Sequence, residues 1–209
     1  MRGISIVGLG NMAGALATRA LAGGNTVEII GRDPARTREW AAALGATAGT
    51  AGAAPAGDIV VLAVPYAAAA TVVGEYGDAL RGKVVIDITN PVSPDLKGFV
   101  TPDGSSGAQE IAKAAPAGAY VVKAFNTLFS QVLAAGPVEG RPLDVFIAGD
   151  DARAKARVSA FAESLGLRPL DAGELAMARA LENVALLELG LMTHSVRHSD
   201  FSVGVTLLG

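Results

Sequence analysis

The chain has 209 residues, 51% of them hydrophobic, with a formal net charge of −3 and no cysteine. That composition excludes disulfides, thiolate catalysis and Cys-ligated metals, and the lack of a basic run or stripe argues against nucleic acid as a partner. No apolar stretch reaches the ~18–20 residues needed to span a bilayer.

Strand-like sequence begins at Ile4, which leaves no room for a secretory leader, so a cytoplasmic protein is expected. Its length suits one domain, or one with a small appendage. Residues 3–8 (GISIVG) are a short apolar strand, and 11–22 are helical sequence stopped by Gly23-Gly24. A second strand covers 27–30. A helix opens at Asp33 or Pro34 and runs to Leu44, with Gly45 as its stop, and a weak strand follows near 46–48. Residues 58–64 (DIVVLAV) and 83–89 (KVVIDIT) form continuous apolar runs, as expected of strands buried on both faces, with a helix over 67–80 between them.

A Pro/Gly/Ser-rich loop spans 90–107 and a short helix 109–114. Strands are predicted at 120–125, 144–148 and 167–170, with a helix at 152–165 between the last two. A long apolar helix at 174–192 ends the pattern and must be buried on more than one side. Strand and helix alternate almost throughout. Parallel strands require crossover connections, so the expected fold is α/β: a doubly wound, mainly parallel Rossmann sheet with a small C-terminal α/β extension. Residues 1–150 would form the main domain, and 151–209 the extension.

The first turn reads Gly8-Leu9-Gly10-Asn11-Met12-Ala13, a GxGxxA form of the dinucleotide fingerprint. The first glycine permits the tight turn, the second lets backbone approach a pyrophosphate, and the small third residue keeps helix and sheet close. The helix N-terminus then offers its N–H groups to phosphate. At the end of the second strand stand Gly31, Arg32 and, one helical turn on, Arg36. An acid there would accept from a ribose 2′-hydroxyl, whereas arginines suit the 2′-phosphate of NADP. Asp33 competes with that reading unless it caps the following helix ahead of Pro34.

The segments Gly31–Arg36 (GRDPAR), 62–66 (LAVPY), 87–91 (DITNP), 122–127 (VKAFNT), 167–173 (LRPLDAG) and 178–182 (ARALE) occur in this order. The set resembles the NADPH-dependent deazaflavin (coenzyme F420) reductases and their dinucleotide-binding relatives, and the cytoplasmic domain of the STEAP metalloreductases. The resemblance implies hydride transfer between NADP(H) and a flavin or deazaflavin. Arg32 and Arg36 match the family's two phosphate-binding arginines, while Gly31 replaces a Ser and Leu9 a Thr. Val64, Pro65 and Tyr66 match a loop along the path from adenosine to nicotinamide. Asn126 stands where archaeal members carry a His beside the acceptor, which implies that it positions the acceptor.

Hydride transfer needs alignment and exclusion of water rather than a nucleophile or metal. Asn90 and Asn126 follow strand ends on the carboxyl edge of the sheet, where doubly wound folds bind ligands. Each can donate and accept hydrogen bonds, and each can also simply form a turn. Lys123 reads as a strand-end charge, and Glu182 as a cap or a partner of Arg179 one turn away. His194 and His198 lie four residues apart without an accompanying carboxylate motif, which favours a surface or interface role over a metal site. Part of the final helix would serve a homodimer interface. Two alternatives stay open: an NADP-binding redox sensor without turnover, and a truncated relative of the β-hydroxyacid dehydrogenases.

Overall fold

The computed structural model describes residues 3–138 and 141–208. In chain order the elements are β1 (Gly3–Val7), α1 (Asn11–Ala22), β2 (Thr26–Gly31), α2 (Pro34–Leu44), β3 (Thr47–Thr50) and β4 (Ile59–Leu62). Then come α3 (Tyr66–Tyr76), β5 (Val84–Asp87), α4 (Gly107–Ala114), β6 (Tyr120–Lys123) and α5 (Ser130–Ala135). The last are β7 (Asp144–Gly149), α6 (Ala152–Ser164), β8 (Arg168–Gly173) and α7 (Ala178–Leu191). A 3-10 turn at Gly77–Leu80 extends α3, and a π-helical turn at Met192–Val196 extends α7.

The strands form one eight-stranded sheet in the order β3-β2-β1-β4-β5-β6-β7-β8. The first six are parallel; β7 runs antiparallel to β6, and β8 is parallel to β7. Alternate residues of each strand point to opposite faces, so the apolar runs feed two cores. Ile59, Val61, Ile86 and Val122 face the side packed with Leu16 of α1 and Phe161 of α6. Val60, Leu62, Val85 and Val121 face Val73 of α3, Ile111 of α4 and Ala178 of α7.

Local chemistry fixes the helix ends. Asp33 caps α2 by accepting from the N–H groups of Ala35 and Arg36 at 2.9 and 3.1 Å, and Gly45 closes it in the left-handed conformation at φ 76°. Ser106 and Gln109 form a reciprocal capping box on α4. Residues 126–143, for which no element is predicted, contain α5. Its one and a half turns, with no side-chain N-cap, are too short for a periodic signal.

A larger departure concerns α7. It buries one stripe, Ala178, Leu181, Glu182, Ala185 and Glu188, not several sides. Two of those five residues are glutamates, while Leu187 is 55% exposed. Polar demands from β5, β6 and the C-terminal segment override the simple rule that leucines turn inward.

Candidate functional site

The crevice for a dinucleotide lies where crossovers reverse direction, between β1 and β4. Gly8 there has φ 131°, and a Cβ on it would lie 2.1 Å from the Ala63 carbonyl oxygen. Its N–H donates to the Ile30 carbonyl at 2.8 Å, and the Ala63 N–H to that of Val7 at 2.9 Å. The glycine thus lets the β1 turn and the β4 turn close on one another. Gly10 differs: a Cβ there would meet nothing within 4 Å. It is the N-cap of α1 and offers no side chain, so no side chain caps the first-turn N–H groups. Pro65 likewise gives α3 no side-chain cap ahead of Tyr66. An open glycine cradle at an uncapped helix end is what a pyrophosphate requires, so these residues fit a dinucleotide.

Arg32 and Arg36 are both exposed, and neither guanidinium has a partner among the described residues. The competing acid is engaged elsewhere, because Asp33 Oδ1 takes both capping bonds of α2. Gly31 and Leu9, the two departures from the family pattern, prove to be one packing unit. A Cβ on Gly31 would lie 2.7 Å from Leu9 Cδ1 and 2.6 Å from Thr37 Oγ1. The leucine occupies the space that a residue-31 side chain would need.

The carboxyl edge of β5 and β6 holds a buried charged cluster. Lys123 Nζ donates to Asp87 Oδ2 at 2.8 Å, to Glu182 Oε1 at 3.0 Å and to the Thr89 carbonyl at 2.5 Å. All three charged side chains are fully buried. Glu182 Oε1 also accepts from the Gly107 N–H at 2.9 Å, tying α7 to the start of α4. Lys123 does end β6, as a buried and paired charge. One expectation is corrected: Glu182 does not pair with Arg179. Arg179 instead donates to Thr101 Oγ1 and the Ser105 carbonyl and lies over the Phe99 ring. Burial pushes the Glu182 carboxyl above its ordinary range, against the pull of Lys123. Burial, with Glu110, Glu182 and Asp87 nearby, raises the Tyr66 hydroxyl.

The two asparagines meet beside this cluster. Asn126 Nδ2 donates to Asn90 Oδ1 at 2.9 Å and to the Leu181 carbonyl at 3.1 Å. Asn90 Nδ2 donates to the Asn126 carbonyl at 2.9 Å. With its amide hydrogens spent, Asn126 keeps a free Oδ1, which can only accept. Phe125 sets this aim. It is fully buried, packed edge-on against Phe161, and held at φ 63°, a conformation that costs a bulky residue energy. Thr89 Oγ1 and Glu182 Oε2 are also buried without a hydrogen bond among the described residues. Sequence reasoning missed Thr89 and the Asp87–Lys123–Glu182 linkage. The available signal was charge inside apolar runs: an acid in VVID, a lysine in YVVK and a glutamate in the apolar helix.

Away from this edge, the C-terminal segment is clamped by carboxylates. Asp144 binds Arg168 Nε at 2.5 Å and Nη2 at 2.9 Å, and accepts from the Val205 N–H at 2.7 Å. Burial opposes ionisation of Asp144, but Arg168 and Val205 prevail and hold its carboxyl low. Glu188 accepts from the Val203 backbone, yet burial pushes it up to about 7. His194 and His198 are exposed, and His198 Nδ1 accepts from the Asp200 N–H.

Similarities to known proteins agree with this geometry. The family model described as "NADP oxidoreductase coenzyme F420-dependent" matches residues 3–91. The F420-dependent NADP reductase of Methanothermobacter marburgensis is 32% identical over 173 residues, 79% of this chain and 72% of that protein. The metalloreductase STEAP3 of Rattus norvegicus is 33% identical over 183 residues, 88% of this chain. The chain spans only about a third of that longer relative, since the match covers 36% of it. The fold matches a candidate F420-dependent NADP reductase from Arthrobacter sp. FB24 with a TM-score of 0.87 at 24% identity, over 99% of this chain and 100% of that one. The chain belongs to the F420-dependent NADP reductase family of oxidoreductases.

Proposed function

We propose that this NADP-dependent oxidoreductase passes hydride between NADP(H) and a flavin or deazaflavin. The observation that carries the reading is an open, uncapped glycine turn beside two unpaired arginines, in a chain similar to a deazaflavin-dependent reductase. Gly8, Leu9, Gly10, Asn11 and Met12 would hold the pyrophosphate, and Arg32 and Arg36, around Gly31, the 2′-phosphate. Val64, Pro65 and Tyr66 would line the path toward Asn90. When bound, the reduced nicotinamide supplies the hydride. Asn126 then serves through its one free atom, Oδ1, as an acceptor that orients a ring N–H or carboxamide.

Residues 1–150 act as the NADP-binding part, and 151–209 complete the acceptor side. Supporting that division of labour, α7 reaches the edge through Glu182 and the Leu181 carbonyl. In this reading the enzyme is a cytoplasmic homodimer that uses the outward leucines of α7. No helix among the described residues is long and apolar enough to cross a membrane. The β-hydroxyacid dehydrogenase alternative needs a catalytic lysine on a long helix, and α7 carries none.

The test is NADPH oxidation with F420-type deazaflavin, FMN and FAD supplied separately. Oxidation well above the acceptor-free rate with one of them is expected. Tight NADPH binding without turnover on any of the three would replace the enzyme with a redox sensor. Asn126→Ala should slow single-turnover hydride transfer roughly two- to twelve-fold, the worth of one neutral hydrogen bond, with NADPH affinity nearly unchanged. An unchanged rate would make Asn126 structural.

A further inference from the structure

The buried cluster at the carboxyl edge is out of balance. Two carboxylates, Asp87 and Glu182, share one ammonium, Lys123, and all three are sealed from solvent. Asp87 has a further donor in the Thr89 N–H at 2.8 Å. Glu182 has the Gly107 N–H on Oε1 and, among the described residues, no hydrogen bond on Oε2. Among the described residues, the facing groups supply no second cation. Tyr66 of α3 packs on Gly107 and is neutral; Glu110 of α4 is acidic and is bound by Lys113 and Ser105; Arg179 is turned toward Phe99. Fully ionised, the cluster would bury one uncompensated negative charge. Such a charge is expensive in a low-dielectric interior and is relieved by a proton or by a nearby cation.

The position supplies a candidate cation. A Rossmann sheet places one mononucleotide on each half. Here the arginine-bearing half is β1–β3, so the second nucleotide would lie over β4–β6, where Asp87 and Lys123 are the last strand residues. A nicotinamide ring carries a positive charge when oxidised and none when reduced. We propose that Glu182 is a positioning residue for the oxidation state of the cofactor: it keeps a proton when the reduced ring is bound and gives it to solvent when the oxidised ring is bound. The raised carboxyl of Glu182, caused first by burial, is in keeping with a group poised to hold that proton. This inference rests on the NADP reading but not on the acceptor.

The experiment is calorimetric titration of the whole protein with NADP+ and with NADPH between pH 6 and 8.5, without any acceptor. The 2′-phosphate titrates near pH 6 in both cofactors, so the ratio of the two affinities cancels it. By proton linkage the ratio changes with pH only if the two cofactors exchange different numbers of protons on binding; release with NADP+ alone makes NADP+ gain as pH rises, by up to about tenfold per unit. Repeating the titration in buffers of different ionisation enthalpy should show proton release with NADP+ and none with NADPH. In Glu182→Gln the ratio should become independent of pH. A protonated-carboxyl infrared band that disappears on NADP+ addition, and is missing from Glu182→Gln, gives a second readout on the parent protein should the variant not fold. A flat parent ratio with no differential proton release overturns the proposal and leaves the NADP reading standing. Failure of both cofactors to bind overturns both.

Discussion

At Gly8 one added carbon would strike the Ala63 carbonyl, whereas at Gly10 it would enter open space. The two glycines therefore separate fold from binding. Gly10→Val should keep the native circular dichroism spectrum and lose NADPH affinity, while Gly8→Ala should lower the melting temperature even without cofactor. Normal NADPH binding by folded Gly10→Val would remove the pyrophosphate from this turn. Arg32 and Arg36 permit a sharper test, because only the 2′-phosphate distinguishes NADPH from NADH. A charged hydrogen bond is worth ~1.5–3 kcal/mol, so Arg32→Ala or Arg36→Ala should weaken NADPH roughly 10- to 150-fold and leave NADH unchanged in titration calorimetry. Equal losses for both cofactors would place the arginines elsewhere. At residue 31 both Leu9 and Thr37 set the limit. Gly31→Ser should destabilise the loop, and Leu9→Thr in the same chain should recover part of the loss, because Thr37 Oγ1 stays in the way.

Among the elements, α2 shows local sequence and structure in agreement: cap, proline and terminal glycine fall where their chemistry predicts. Asp33→Ala should cost about 1 kcal/mol of stability, the usual worth of an N-cap. It should leave NADH binding unchanged if the acid serves the helix and not a ribose. The strands were equally legible, because buried parallel strands are continuous apolar runs. α5 was hidden by its length, and α7 was misjudged because periodicity identifies a face but not what that face meets. Glu182 finds Lys123 across 59 residues of chain, and no local pattern announces such a pairing. The same limit applies to the site. The glycine turn and the arginines are local and readable, but the Asn90–Asn126 pair and the charged cluster exist only once β5, β6 and α7 are assembled. Lys123→Met would leave two buried carboxylates facing each other, and about 3–5 kcal/mol of destabilisation is expected, measured by denaturant unfolding.

For the molecule as a whole, Glu188 makes stability depend on pH in a definite direction. Its carboxyl is 3% exposed and rises from 4.5 to about 7 on folding. The folded state therefore binds more protons than the unfolded chain between those values, and the contribution present below 4.5 is lost as pH rises through 7. Each pKa unit is ~1.4 kcal/mol, so the loss is at most about 3.5 kcal/mol. Melting temperature should fall between pH 5 and 8, and Glu188→Gln should flatten that part of the profile; an identical slope in the variant would assign it to other groups. The two outer strands of the sheet bear on how copies of the molecule can meet. β3 is only four residues long, and β8 carries Pro169, which pairs with Val145 on its inner side and has no N–H to offer outward. Neither border presents a long run of free backbone donors and acceptors, so a second sheet has little to zip onto. The sheet is thus guarded at both edges against strand-to-strand growth into a fibre.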